Sequence, residues 1–238
     1  MPTLTTLANL LYPPACLLCD APLSDAGAVC GRCDAALPRA GAPLCRRCGA
    51  EIRGAFDAVL ECAGCRRHPR AFDAARAPWR YAGPAREAVH RFKYGRRRRL
   101  GGWLAADMAR TARAALPCDE RSIIVPVPLH WLKLRLAGRN HAEELARALS
   151  RALGAPCVPK ALARRRWTRP QTRLSGRARL RNVRHAFTAS SRLVCGRTVL
   201  LVDDVLTSGA TAEACACALK TAGARAVYVL TAARTPLE

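Results

Sequence analysis

Two kinds of residue cluster in this chain could do chemistry: a pair of aspartates beside a hydroxyl-rich loop, and four closely spaced cysteine pairs. The first lies in the stretch Thr198 to Leu219. Val199, Leu200, Leu201 and Val202 lead into Asp203 and Asp204, followed by Val205, Leu206, Thr207, Ser208, Gly209, Ala210 and Thr211. Four consecutive apolar residues suit a strand covered on both faces, and the alanine-rich segment behind Gly209 has helical period. A loop between such a strand and helix aims free backbone N–H groups and the positive end of a helix dipole at one spot. Thr207, Ser208 and Thr211 add hydroxyl donors there, so an anion of phosphate size fits. Two adjacent carboxylates are costly to place together unless something uses them, and a vicinal diol or a divalent cation is the usual user. Phosphate, diol and metal together describe a ribose 5-phosphate bearing a magnesium-bound pyrophosphate. A plain strand ending in two acids before a capped helix would be written the same way, with Asp204 or Thr207 serving backbone donors.

The cysteine pairs are Cys16 with Cys19, Cys30 with Cys33, Cys45 with Cys48, and Cys62 with Cys65. A CxxC knuckle turns both sulfurs to one side, and two knuckles close a tetrahedral zinc shell. The simplest grouping is sequential, Cys16/Cys19/Cys30/Cys33 and Cys45/Cys48/Cys62/Cys65, with an interleaved pairing as the alternative. Closed four-sulfur sites leave no position for water or substrate, so the zinc would be structural and would stabilise a segment too short to fold on a core alone. Redox-active CxxC is the competing use, but no thioredoxin-like strand–helix context surrounds any pair. His68 reads as a surface residue. Cys118, Cys157, Cys195, Cys215 and Cys217 are scattered and read as small buried residues.

The elements that must position these groups form one ordinary domain with an appendage: a double zinc ribbon over residues 1–70 and an α/β domain with a mostly parallel sheet over 71–238. Trp79 and Tyr81 sit in a strand-like piece, Ala85 to Tyr94 has helical spacing, and a second helix runs from Leu100 to about Leu116. Ile123 to Pro128 reads as the first strand of the main domain. A basic loop through Asn140 follows, and then a helix over Ala142 to Leu153, with Glu143 and Glu144 where its dipole favours them. A further short strand is expected near Ala155 to Leu162, and Ala226 to Arg234 alternates into the last one. The opening segment Leu4 to Leu18 is broken by Pro13 and Pro14 and has no basic start, which suits a short docking helix and not a signal peptide. No stretch approaches the roughly 18–20 apolar residues of a membrane span. A cytoplasmic protein is expected.

The formal charge is +23, from 40 Lys and Arg against 17 Asp and Glu. Only Lys93, Lys133, Lys160 and Lys220 are lysines. An arginine- and alanine-heavy usage can reflect a GC-rich genome, so placement tells more than size. Between Glu144 and Asp203 there is no acidic residue, while Arg147, Arg151, Lys160, Arg164, Arg165, Arg166, Arg169, Arg173, Arg177, Arg179, Arg181, Arg184, Arg192 and Arg197 are all basic. A solvated face normally mixes signs, so a single-sign run of this length favours a polyanion, and the planar fork of Arg grips phosphate. Arg164, Arg165, Arg166, Arg169, Arg173, Arg177, Arg179 and Arg181 are the candidate nucleic-acid contacts, against the reading of a mere solubility surface. Trp167 and Phe187 permit base stacking, although Phe187 can equally anchor a strand. The block Arg96 to Arg99, with Phe92, Tyr94 and Trp103 near it in sequence, invites the same two readings.

The stretch around Asp203 resembles the phosphoribosyl-pyrophosphate (PRPP) loop of type I phosphoribosyltransferases. Over nearly its whole length the chain resembles the ComF-like competence proteins. The matching motifs are the CxxC pairs, Val125-Pro126-Val127-Pro128-Leu129, Asn140 with Ala142-Glu143-Glu144-Leu145-Ala146, Pro170-Gln171-Thr172 through Leu174-Ser175, Arg181-Asn182-Val183 with Ala186-Phe187, and Leu201-Val202-Asp203-Asp204-Val205 with Thr207 and Gly209 to Thr211. The resemblance implies an N-terminal zinc ribbon, a phosphoribosyltransferase-like fold and a role in DNA uptake. Its implied partners are single-stranded DNA and, in some bacteria, a ComFA-like helicase. It also implies that Asp203 and Asp204 hold the ribose hydroxyls, that Thr207, Ser208, Gly209, Ala210 and Thr211 hold the 5-phosphate, and that Mg²⁺ accompanies PRPP. The loop after Pro126, Val127 and Pro128 would receive pyrophosphate. The family writes Arg-Gly-Phe-Asn-Gln where this chain has Ala137, Gly138, Arg139, Asn140 and His141, so the pyrophosphate contact would fall to Arg139. A glycine usual after Gln-Thr is Arg173 here. Two functions remain: a binding platform for nucleic acid and a phosphorylated ribose, or a Mg²⁺-dependent phosphoribosyltransferase whose acceptor no residue identifies.

Overall fold

The aliphatic run ahead of Asp203 and the run over 226–234 pair side by side as the central strands of a parallel sheet. The computed structural model describes residues 14–23, 27–52, 60–95, 99–119, 121–130, 132, 134–135, 138–165 and 186–236. Its strands in chain order are β1 (Ala74–Arg76), β2 (Trp79–Arg80), β3 (Ser122–Pro126), β4 (Leu162–Arg164), β5 (Phe187–Ala189), β6 (Thr198–Leu206) and β7 (Ala226–Arg234). Its helices are α1 (Gly31–Ala35), α2 (Ala63–Arg67), α3 (Gly83–Tyr94), α4 (Arg99–Ala115), α5 (His141–Leu153), α6 (Ser191–Val194) and α7 (Ala210–Thr221). The sheet runs β1–β7–β6–β3 with β2 also on β7, every pair parallel. β4 and β5 form a separate antiparallel pair.

Alternate residues of β6 enter opposite layers, which is why the run is apolar without interruption. Val199 and Leu201 pack with Cys215, Ala216 and Leu219 of α7. Leu200 and Val202 pack with Val89 and Phe92 of α3, Leu104 and Met108 of α4, and Leu145 and Leu149 of α5. The two cysteine clusters divide between these layers. Cys16 and Leu18 belong to the α3–α4–α5 side, together with the stacked pair Trp79 and Trp103 at 5.0 Å. Cys45, Cys48 and Cys65 belong to the α7 side. On the first side Arg39 also reaches α4, where its Nη1 lies 3.2 Å from the buried carboxylate of Asp107.

Three expectations change. Ile123 to Pro128 does not open the sheet, because β1 and β2 precede it and pair with β7. Strands of two or three residues carry no periodic run to recognise. The strand expected near Ala155 to Leu162 is a single bridge from Cys157 to Ile124 and a 3₁₀ turn over Pro159–Ala161, with β4 starting only at Leu162. Pro159 has no N–H to give a ladder. Of the five scattered cysteines only Cys215 is buried; Cys157 is half-buried, and Cys118, Cys195 and Cys217 are exposed. Cys215 and Cys217 stand two residues apart on α7, so only one can face the sheet. The proposed docking helix falls mostly on residues 1–13, outside the described residues. Among the described residues no helix is long and apolar enough to cross a membrane.

Candidate functional site

The sulfurs of Cys16, Cys19, Cys30 and Cys33 lie within 4.8 Å of one another, as do those of Cys45, Cys48, Cys62 and Cys65, so the sequential grouping holds. Separations of 3.7 Å between Cys19 Sγ and Cys30 Sγ and 3.6 Å between Cys48 Sγ and Cys62 Sγ approach the edge of a tetrahedron. With Zn–S bonds of about 2.3 Å that edge is roughly 3.8 Å. The main-chain N–H groups of Leu18 and Cys30 donate to Cys16 Sγ, and those of Cys48 and Cys62 to Cys45 Sγ. Burial pushes the Cys16 thiol up, but these N–H groups outweigh it and bring it to about 6, while burial pushes Cys33 up to about 12. In the second cluster the Cys48 thiol beside it lowers Cys45 to about 4, and burial raises Cys65 to about 11. One sulfur of each four thus ionises readily, and a divalent cation is what lets all four do so. The donor set fits structural zinc.

A zinc ion with four thiolates carries a net charge of −2, and the sheet supplies its counter-charge. Arg234, buried at the end of β7, donates from Nη2 to Cys48 Sγ at 3.4 Å. Arg76 at the end of β1 donates from Nη1 to the carbonyls of Cys45 and Arg46, at 3.4 and 3.0 Å. Sequence reading singled out neither arginine. His68 is exposed, as expected.

Asp203 and Asp204 lie within β6 near its end, both half-buried, and the Asp204 N–H donates to Asp203 Oδ1 at 2.9 Å. Burial, and then the charge of Asp204, pushes Asp203 up to about 7. Gly209 turns the chain at φ 78°, a left-handed conformation that suits glycine, and α7 starts at Ala210. Thr207 is exposed, Ser208 and Thr211 are half-buried, and Gly209 and Ala210 are buried. Ser208 Oγ accepts from the Ala210 N–H at 3.4 Å. Glu213 in the first turn of α7 accepts from the Ala71 N–H at 3.0 and 3.1 Å. That bond ties the exit of the second cysteine cluster to the loop, and Arg70 Nη1 lies 3.9 Å from where a Cβ on Gly209 would stand. Sequence reading had no signal for Arg70.

The neighbouring strand brings the second loop alongside. Pro126 registers with Val202, one residue before Asp203, and the Val127 N–H donates to the Val202 carbonyl at 2.9 Å. Asn140 caps α5 by accepting from the Ala142 N–H at 3.2 Å, and its Nδ2 donates to the Val127 carbonyl at 3.1 Å. Pro126, Val127 and the half-buried Pro128 therefore lie alongside the end of β6 that carries the two carboxylates.

Arg139 is engaged elsewhere. Its Nη2 donates to the carbonyls of Phe92, Lys93 and Gly95 at 3.0, 3.0 and 3.3 Å, and its Nη1 lies 3.7 Å from Glu144 Oε2. The guanidinium caps the C-terminus of α3, where a cation is favoured. His141 adds a bond from Nε2 to the Lys93 carbonyl at 2.9 Å, with its ring edge-on to Phe92. The side chain these contacts hold in place is Lys93, whose Nζ lies 2.9 Å from Asp204 Oδ1. Burial works against its charge, but Asp204, followed by Asp203, holds its pKa above the usual lysine value. A signal did exist for Lys93: it is one of only four lysines among 40 cations.

Of the candidate nucleic-acid contacts, Arg164 and Arg165 are described; Arg166, Arg169, Arg173, Arg177, Arg179 and Arg181 lie outside the described residues, as do Trp167 and Ala137. Arg164 is half-buried with its guanidinium 5.5 Å from the centre of the Phe187 ring. Burial lowers its pKa, against the charges of Cys215 and Asp203. Arg165 is exposed, and its Nε donates to Thr188 Oγ1 at 3.3 Å. Phe187 is buried and anchors β5. Phe92 is buried too, and Trp103 stacks on Trp79, which leaves Tyr94, 76% exposed, as the open aromatic of its group.

The profile of the double zinc ribbon domain matches residues 7–66, and that of the phosphoribosyl transferase domain matches residues 138–236. The DNA utilization protein YhgH of Escherichia coli (strain K12) is 33% identical over 245 residues, covering 95% of this chain and 99% of that one. Competence protein F of Haemophilus influenzae is 28% identical over 201 residues, covering 81% of this chain and 85% of that one. Among solved structures, the allosteric regulatory enzyme of purine biosynthesis is 21% identical, covering 60% of this chain and 30% of that one, with a TM-score of 0.41. With two four-cysteine zinc sites ahead of a parallel sheet that ends in Asp203, Asp204 and the loop before α7, and with full-length relatives of this kind, the chain belongs to the ComF family of competence proteins.

Proposed function

We propose that this protein acts in DNA uptake and utilization, binding PRPP or a related phosphorylated ribose at the β6–α7 loop and single-stranded DNA on its arginine-rich surface. The observation that carries the reading is the convergence of Asp203, Asp204 and the 207–211 loop with the Asn140-braced turn at Val127, in a chain whose full-length relatives are named for competence and DNA utilization. In this reading Asp203 and Asp204 accept the ribose hydroxyls and orient the sugar. The N–H groups at the start of α7 and the hydroxyls of Thr207, Ser208 and Thr211 bind the 5-phosphate. Mg²⁺, when bound with a pyrophosphate, supplies neutralisation of that group's charge, and the two carboxylates are the residues that could hold it.

Calorimetric titration of the zinc-loaded protein with PRPP and Mg²⁺ tests the ribose site. Binding is expected in the wild type and not in the folded Asp203→Asn/Asp204→Asn variant, and equal binding by both rejects the site. For DNA, the expected result is retention that falls steeply with salt. Arg165→Ala/Arg166→Ala should reduce the log–log salt slope by about 0.7 for each phosphate that is no longer neutralised. An unchanged slope would remove these residues from the DNA surface. A partner helicase of the ComFA kind belongs to the same reading. The alternative of a working phosphoribosyltransferase asks for a cation at the pyrophosphate turn, and Arg139 is committed to α3.

A further inference from the structure

Lys93 occupies the place where the chemistry of this site requires a positive charge. A phosphorylated ribose brings its own negative charge toward Asp203 and Asp204, and like charges brought together repel unless a cation lies between or beside them. A divalent ion held by the two carboxylates is the usual answer. Here an ammonium already lies 2.9 Å from Asp204 Oδ1, with the Lys93 side chain 25% exposed and that of Asp204 19% exposed. Its main chain is held from three sides. Arg139 Nη2 donates to the carbonyls on and around it, His141 Nε2 donates to its own carbonyl, and the preceding Phe92 is buried against α5 and the sheet layer. A surface lysine costs conformational entropy to hold in one rotamer, but at a braced backbone with a half-buried carboxylate in reach that cost is largely offset.

We propose that Lys93 is the built-in cation of the ribose-phosphate site, neutralising Asp204 so that a ribose phosphate without a pyrophosphate binds with no divalent metal. The proposal rests on the reading of residues 203–211 as a ribose-phosphate site and names the ligand class that site prefers. A magnesium-bound pyrophosphate would have to compete with the Lys93 ammonium for Asp204, whereas a simple ribose 5-phosphate finds the counter-charge in place. Arg139 and His141 are positioning residues in this arrangement, since they touch the main chain of Lys93 and not the ligand.

The test is calorimetric titration of the zinc-loaded full chain with ribose 5-phosphate, in buffer free of Mg²⁺ and in buffer containing it, for the wild type, Lys93→Met and Asp203→Asn/Asp204→Asn. No chelator is used, so the structural zinc stays in place. The wild type should bind equally well in both buffers. Lys93→Met should lose at least about tenfold in affinity without Mg²⁺, the size expected on truncating one partner of a desolvated charge pair, and should regain most of it when Mg²⁺ is added. Wild-type binding that requires Mg²⁺ overturns the role of Lys93 while leaving the ribose-phosphate site standing. So does Lys93→Met binding as the wild type does without metal, or losing binding in both buffers with zinc content and unfolding midpoint unchanged. Absence of binding by the wild type in both buffers, or undiminished binding by the double Asn variant, removes the ribose-phosphate site and the proposal together.

Discussion

Asp203 shows how a buried carboxylate is held at a cost to the fold. In the unfolded chain it titrates as an ordinary aspartate, near 3.9. In the folded chain burial, then Asp204, raises it to about 7. The folded state therefore binds the proton more tightly through that window, and stability falls as pH rises from about 4 to about 7, staying at its lower value above. Asp203→Asn removes the ionisation. Urea unfolding of zinc-loaded protein should find the variant more stable than the wild type at about pH 8, by a margin on the order of 2–4 kcal/mol, and the margin should shrink by about 1.4 kcal/mol for each pH unit below about 7. A margin that does not change with pH would mean that Asp203 is not the titrating group. The same substitution should abolish ribose-phosphate binding, so stability and function move in opposite directions at this residue. The carboxylate pair was visible in the sequence because its residues are adjacent. The pairings of Lys93 with Asp204 and of Arg234 with Cys48 were not, because each side chain meets its partner only through the fold, and Arg234 lies 186 residues from Cys48.

Among the elements, α5 and the turn after β3 are joined by one side chain. Asn140 both accepts from the Ala142 N–H and donates to the Val127 carbonyl. Asn140→Ala should cost about 1–2 kcal/mol in urea unfolding through loss of the cap. Asn140→Asp keeps the acceptor for Ala142 and loses the donor to Val127, so an intermediate loss separates the cap from the turn, and equal losses would mean that the turn bond carries the effect. Gly209 is the other such point, with φ 78° at the entry to α7. Space for a methyl exists there, since the nearest heavy atoms to an added Cβ are 3.9 Å away, so Gly209→Ala should cost only the left-handed strain of about 1–2 kcal/mol. A much larger loss in the unfolding midpoint would point to a clash instead. The long elements were legible because their periodicity is sustained: β6, β7, α3, α4 and α5 all stand close to where the residue pattern puts them. β2 showed only as the strand-like piece at Trp79 and Tyr81, and β1 not at all, since a strand of two or three residues is defined by its partner, here β7.

Over the whole molecule, the two zinc sites are part of the core and not a detachable head. Cys45, Cys48 and Cys65 share a core layer with β6, β7 and α7, while Cys16 shares the opposite layer with α3, α4 and Trp79. Arg76 and Arg234 carry charge from the sheet to the second cluster. Stripping the zinc should therefore leave buried thiols and unneutralised arginines at the edge of the sheet. Hydrogen exchange should accelerate along β1 and the end of β7 as well as in the cysteine-rich segment, and the thermal midpoint should fall. Unchanged exchange in β7 on zinc removal would show the two parts to be independent.

The sequence by itself determined the chemistry that is written locally: eight cysteines as four knuckles, two adjacent acids before a small hydroxyl loop, and the apolar runs of the central strands. Each depends on spacing of a few residues, which the chain carries into any fold that satisfies it. Only the tertiary structure decided which knuckles share an ion, that Arg139 serves the end of α3, that Phe187 packs inward, and that Lys93 reaches Asp204. Those outcomes depend on which distant side chains burial brings within a hydrogen bond of one another. That is set by how the layers pack, and no spacing along the chain encodes it.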